Sequence, residues 1–295
     1  MSRQPRSSIT LIFLCISSCV FTIRNSDLAA QEYGPPLPGT KPLSLTGDIA
    51  SELVAGVDRF LLKQIDDSTA NRVRHWKRDY SSPAAYTASV EPNRRRLAHI
   101  LGVRDLRSHG EVEHVTYSGS RSAVSRGTEF GVHTIRWPAF GDVTGEGLEA
   151  IPSEARHEPM PDVIVVPDAD QTPEQLLGLV PGVPAESQVA RQLAESGCHV
   201  IVPVLIDRTV AARNGRAKLT SREYVYRSAF ELGRHVIGYE VQKVLALTDW
   251  LTAKSNGKTP IGLFGYGEGG AIALYAAALD PRIKATCVKI GRAHV

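Results

Sequence analysis

Apolar residues recur at helical spacing in DIASELVAGVDRFLLKQIDD, where Ile49, Leu53, Val54, Val57, Phe60 and Leu61 form one stripe. The segment EPNRRRLAHILGV predicts a second, short helix with Leu97, Ile100 and Leu101 as its stripe. From about Val112 the period changes to two, and EFGVHTIRWPAF and GEGLEAIP read as antiparallel strands. Beyond Asp162 the pattern changes again. DVIVVPDAD, HVIVPVLID, IGLFG and IKATCV are short apolar runs of the kind buried on both faces of a sheet. Between them, ESQVARQLAESG, YVYRSAFELGRHVIGYEVQKVLALTDWLTA and GGAIALYAAALD read as helices, the long one with a bend near Gly233 or Gly238. Strands alternating with helices predict an α/β fold, with a mostly parallel central sheet and helices on both faces. No internal repeat is visible.

The composition leaves this picture unchanged: 42% apolar residues are ordinary for a globular chain with a core. The formal charge of +3 is concentrated at the start, where Arg3, Arg6 and Arg24 face only Asp27, so the rest of the chain stands near +1. That balance gives no reason to expect nucleic acid as a partner. Residues 1–30 read as an export leader: a basic start, the apolar run ITLIFLCISSCVFTI, then small residues ending at Ala30. The expectation is a periplasmic or extracellular protein with no membrane span after cleavage. Lipidation of Cys19 within ISSC is the alternative. Residues 31–110 read as a Pro/Gly-rich linker and a helical extension, and 111–288 as the α/β domain. The triplet Arg94, Arg95, Arg96 is expected to be a solvated helix face, and HGEVEH (109–114) to be polar surface. Cys198 and Cys287 are too few for a disulfide framework and are expected to be small buried residues.

The candidate chemistry lies in IGLFGYGEGG, a strand end, a sharp turn and a helix start. Two motifs fit. In G-x-S-x-G, the turn that presents a nucleophilic serine, Gly265 and Gly269 take the flanking positions and Gly267 stands where the serine would be. In G-x-G-x-x-G, matched by Gly265, Gly267 and Gly270, the turn would cradle a dinucleotide pyrophosphate. The second motif asks for an acid at the end of the next strand, where Lys289 stands instead. A purely structural glycine turn is the third reading.

Residues 125–288 resemble the first six strands of the α/β-hydrolase fold. More closely, the chain is similar to exported bacterial esterase-like proteins of the dienelactone hydrolase and acetyl xylan esterase type. DVIVVPDADQ falls at the third strand and oxyanion loop, HVIVPVLIDR at the fourth strand, IGLFGYGEGG at the fifth strand and elbow, and SVEPNRRRLAHILGV in a helical extension. The resemblance implies a serine attack on an ester carbonyl, assisted by histidine, with the tetrahedral oxyanion held by backbone N–H groups. Carried over residue by residue, Gly267 is the nucleophile position without its hydroxyl. The N–H of Glu268 is one oxyanion donor, and Asp168 or Ala169 supplies the other. The acid and histidine of a triad would follow the elbow, so His199 and His235 are expected to be structural.

Asp168, Asp170 and Glu268 gather three carboxylates around the oxyanion position, where they oppose negative charge. They read either as a cation cluster or as solvated loop acids. The latter is the expectation, with no metal and no cofactor. The closing KIGRAHV reads as a sequencing adapter translated in frame, so 289–295 is expected to be a non-native tail and the strand at 283–288 an exposed apolar sheet edge. The expected function is therefore that of an exported esterase-fold protein, acting on a small-molecule or polysaccharide ester, with its serine chemistry in question. A silent binding or scaffold protein on the same fold is the alternative. Nothing in the pattern speaks to oligomeric state.

Overall fold

The computed structural model describes residues 37–42, 44–115, 125–126, 129–154, 156–213 and 217–290. The leader, Cys19, the start of the linker and residues 291–295 lie outside the described residues. The chain divides into two units, Met1–Ala70 and Asn71–Val295.

The first unit contains α1 (Ile49–Asn71). Asp48 caps it: the Ala50 N–H donates to Oδ1 at 3.0 Å and the Ser51 hydroxyl to Oδ2 at 2.6 Å. One of the helix's otherwise unpaired N–H groups is thereby satisfied. The predicted stripe is present, but no residue of α1 is buried, and Leu53, Val57 and Phe60 are exposed.

In the second unit α2 (Pro83–Leu101) starts well before the predicted segment, capped by the Ser82 hydroxyl, which accepts from the Ala85 N–H at 3.1 Å. Pro92 sits inside the helix, which runs through it from Pro83. Then come β1 (Glu113–His114), β2 (Ser125–Arg126), β3 (Phe130–Phe140) and β4 (Val143–Pro152). The α/β alternation follows: β5 (Asp162–Val166), α3 (Pro173–Leu176), α4 (Val189–Glu195) and β6 (His199–Pro203). A hairpin, β7 (Val210–Arg213) and β8 (Ala217–Thr220), leads to α5 (Ser221–Glu231) and α6 (Val236–Lys254). The chain closes with β9 (Ile261–Tyr266), α7 (Glu268–Leu279) and β10 (Ile283–Lys289). The expected single long helix is two helices, because Gly233 takes a left-handed φ of 63° after α5. The β7–β8 hairpin carries no sustained apolar alternation and was not predicted.

The sheet order is β1-β3-β4-β6-β5-β9-β10, with β2 also on β3. β6, β5, β9 and β10 pair in parallel, whereas β4 is antiparallel to both β3 and β6. The sheet is thus mixed but mostly parallel: β3 runs with the parallel strands and only β4 and the two-residue strands oppose them. Alternate side chains feed two cores. Ile164, Val166 and Ile201 pack toward α6 and α7, and Val165, Val200 and Val202 pack toward α3 and α4. α6 is buried along most of its length, and the Trp137 indole N–H reaches its Lys243 carbonyl at 3.1 Å. β10 lies at one end of the order, with Lys284, Ala285, Thr286 and Cys287 exposed, a mixed rather than an apolar edge. Cys287, on the strand that ends the sheet order, is therefore exposed and not the buried residue expected; Cys198 is half-buried, and burial pushes its thiol pKa up.

Candidate active-site elbow

The carboxyl ends of β5, β6 and β9 meet at the turn singled out in the sequence. Gly267 links β9 to α7 with φ 58° and ψ −125°, a conformation that side chains rarely adopt. Its flanking glycines are required by contact. A Cβ on Gly265 would strike the Gly269 carbonyl, and one on Gly269 would strike the carbonyl oxygens of Val166 and Pro167. The turn is pinned by the Gly267 N–H, which donates to the Lys289 carbonyl at 2.9 Å, and by the Gly270 N–H, which donates to the Gly267 carbonyl at 3.1 Å.

The space around Gly267 is filled from the loop after β5. A Cβ at position 267 would lie 2.7 Å from both Cγ and Oδ1 of Asp168. That same Oδ1 accepts the backbone N–H of Glu268 at 2.9 Å. The N–H assigned from the sequence as an oxyanion donor is therefore held by a carboxylate of the protein itself. The Asp168 N–H, placed as the second donor, points instead to the Gln171 side-chain oxygen at 3.2 Å. Ala169 is buried beside it.

Two arginines that sequence reasoning passed over compensate the acids. Arg208 follows β6 and donates to Asp170 Oδ2 at 2.6 Å and to Glu268 Oε2 at 2.9 Å, with Asp168 Oδ1 at 3.7 Å. Burial opposes its charge, but Asp170 and Asp168 outweigh burial and raise its pKa. Arg222, near the start of α5, lies against Glu268 Oε1 and donates to the Ile206 carbonyl at 2.6 Å. Burial lowers its pKa, partly countered by Glu240. Glu240 is fully buried in α6, accepts the Ile206 N–H at 2.8 Å and pairs with Lys243 at 2.6 Å. The expectation of solvated loop acids holds for Asp170, which is exposed, and is corrected for Asp168 and Glu268, which are half-buried; the three are tied by a backbone N–H and two guanidiniums. Among the described residues, no group of three His, Cys, Asp or Glu is arranged to hold a metal. A pyrophosphate at this turn would meet the Asp168 carboxylate head-on, which opposes the dinucleotide reading. Two cavities flank the elbow. One, of about 500 Å³, is lined by Asp170, Thr172 and Arg208; the other, of about 320 Å³, by Gln171, Tyr266 and Lys289.

The histidines lie elsewhere. His199, the first residue of β6, is buried at the opposite end of the strands, between Asp162 Oδ1 at 2.6 Å and Glu149 Oε1 at 2.7 Å. Glu149 Oε2 accepts from His114 Nε2 at 2.7 Å, so the HGEVEH segment is not merely polar surface: its last histidine ties β1 to β4. Burial opposes the charge on Glu149, but His199 and His114 outweigh it and hold its carboxyl down at about 2. Burial likewise opposes the charge on His199, and Asp162 and Glu149 raise its pKa in spite of it. His235 caps α6, its Nδ1 accepting the Ile237 N–H at 3.1 Å.

A mixed sheet in this order, with a strand–turn–helix elbow at the carboxyl end of a central strand, defines an α/β-hydrolase fold. The Dienelactone hydrolase family profile matches residues 146–293, half of the chain, and the chain belongs to that family. Among curated proteins none matches. Of the solved structures, a Bacteroides fragilis protein provisionally called an acetyl xylan esterase aligns at 18% identity and a TM-score of 0.52, over 72% of this chain and 55% of that one. Acetyl xylan esterase 1 from a Thermoanaerobacterium species aligns at 11% identity and a TM-score of 0.43, over 66% of this chain and 56% of that one. An acetyl xylan esterase from a Paenibacillus species aligns at 14% identity and a TM-score of 0.40, over 73% and 62%. The chain thus spans less than two thirds of the length of each of these proteins.

Proposed function

We propose that this chain is an exported member of the dienelactone hydrolase family whose cleft holds an acylated ligand, such as an acetylated polysaccharide, without cleaving it by the serine route. One observation carries the reading. The Glu268 N–H, where an oxyanion would be stabilised, is held at 2.9 Å by Asp168 Oδ1, beside a glycine in the nucleophile's place. A tetrahedral intermediate would lack its attacking hydroxyl and would meet a carboxylate where it needs a donor. The family and the fold support an ester-bearing ligand, the flanking cavities give it room, and the basic–apolar leader supports export.

The test uses the full chain with a short-chain aryl ester and, separately, an acetylated xylo-oligosaccharide. The expected result is no ester turnover above the blank, with saturable binding of the oligosaccharide by calorimetry. Turnover that disappears in Asp168→Asn would overturn the proposal, because it would make Asp168 a carboxylate nucleophile. Absence of both turnover and binding would reject the ligand-holding role.

A further inference from the structure

A third cavity, sharing no residue with the elbow turn, lies between the segment before α2 and α2 itself, with Ala278 of α7 at its side. Its volume is about 490 Å³, within the range of about 300–1,000 Å³ that suits small ligands. The rim carries Arg72, His75, Arg78, Arg94 and Arg96, and no acid lines it. The aliphatic lining is buried Val90, half-buried Leu97 and exposed Ile100, and two aromatic residues join it, Trp76 at 44% exposure and Tyr86 at 39%. Arg94 is committed: it donates to the Ala278 carbonyl at 3.2 Å and lies 3.9 Å from Glu91. Arg96 donates to His75 Nδ1 at 3.1 Å, and the Arg78 guanidinium sits 4.2 Å over the Trp76 ring. Among the described residues, Arg72, Arg78 and Arg96 have no carboxylate partner.

Unpaired guanidiniums around an apolar lining define a ligand with an anionic edge and an apolar face. Arginine's planar fork suits a carboxylate in particular, which it binds through two parallel N–H donors. We propose that this cleft binds a carboxylate-bearing glycan. A uronate ring presents C–H faces to the apolar side chains of the cleft, a contact that needs no run of open rings, and its carboxylate to the arginines. A polynucleotide is less well served. One Trp76 face is already covered by Arg78, and Tyr86 stacks on Tyr80 at 5.7 Å, so no run of open rings awaits successive bases. The triplet at 94–96 is thereby split: Arg94 and Arg96 line the cleft, and Arg95 pairs with Glu91 at 3.1 Å.

Affinity electrophoresis of the full chain in gels containing polygalacturonate tests this directly. Retardation is expected with polygalacturonate and should weaken about tenfold with its methyl-esterified form, which keeps the rings and removes the charge. The Arg72→Gln/Arg96→Gln double variant should lose about the same factor, and Trp76→Ala should weaken binding as well. The methyl-ester comparison uses the unaltered protein, so it stands even if a variant fails to fold. Equal retardation by polyglutamate or by single-stranded DNA, or none by polygalacturonate, would overturn the proposal. The xylo-oligosaccharide titration at the elbow reads a separate site, so either assay can fail without the other.

Discussion

The same parallel strands carry a charged cluster at each end, and the two are built differently. At the amino end, His199 is enclosed between Glu149 and Asp162, all three under 10% exposed, each carboxylate within 2.7 Å of a ring nitrogen. At the carboxyl end, Asp168, Asp170 and Glu268 share Arg208 and Arg222 in a cluster whose Asp170 and Arg208 line a cavity, and the Arg208 side chain is 40% exposed. In the first cluster water cannot replace a lost partner. In the second it can at Arg208 and Asp170, whose charges shape a surface more than they stabilise the fold, whereas the Arg222–Glu268 pair beneath them is largely shielded from water. The elbow end is therefore the one free to change its chemistry while the sheet beneath it stays folded.

The largest effect should come from breaking the buried end. His199→Gln takes from buried Asp162 its ring-nitrogen partner and leaves Glu149 with His114 alone, and should cost about 3–5 kcal/mol in urea denaturation at neutral pH. Arg208→Gln at the exposed end should cost about 0–1 kcal/mol. Equal losses would remove the distinction between the two ends.

Acidity and alkalinity should sharpen the comparison further. Glu149 is depressed from an ordinary 4.5 to about 2, so its contribution is present above pH 4.5 and is lost as pH falls toward 2. His199 is raised from 6.5, so its contribution is present below pH 6.5 and is lost as pH rises through the folded value. Thermal melting followed against pH should show both limbs, and His199→Gln should flatten the alkaline one. An alkaline limb unchanged in that variant would mean that His199 is not the group responsible.

Much of this architecture is written locally. Apolar runs marked β5, β6, β9 and β10, and glycines spaced at 265, 267 and 269 marked the elbow, because each signal lies within a few residues. What the sequence hid is long-range. The Asp168–Glu268 hydrogen bond joins residues 100 positions apart, and Arg208 reaches Glu268 across 60. Neither arginine lies in a motif. Likewise, nothing in HGEVEH announces that His114 meets a glutamate on β4. Cys287 misled for a related reason: an apolar run predicts burial only if another layer covers it, and coverage is not a local property.

The smallest of these effects tests the coupling at the elbow. Gly267→Ala places a methyl in a backbone conformation that disfavours any side chain, at a cost of about 1–3 kcal/mol. It also pushes that methyl to 2.7 Å from the Asp168 carboxyl. The backbone part of the cost is the same whatever stands at 168, whereas the collision is not. In an Asp168→Ala background the same change should therefore cost less, with a coupling of about 0.5–2 kcal/mol in the double-mutant cycle. A coupling near zero would mean that Asp168 swings aside freely. It would then be a loose neighbour of the vacated position rather than its occupant, and the Glu268 N–H would be available to an incoming oxyanion after all.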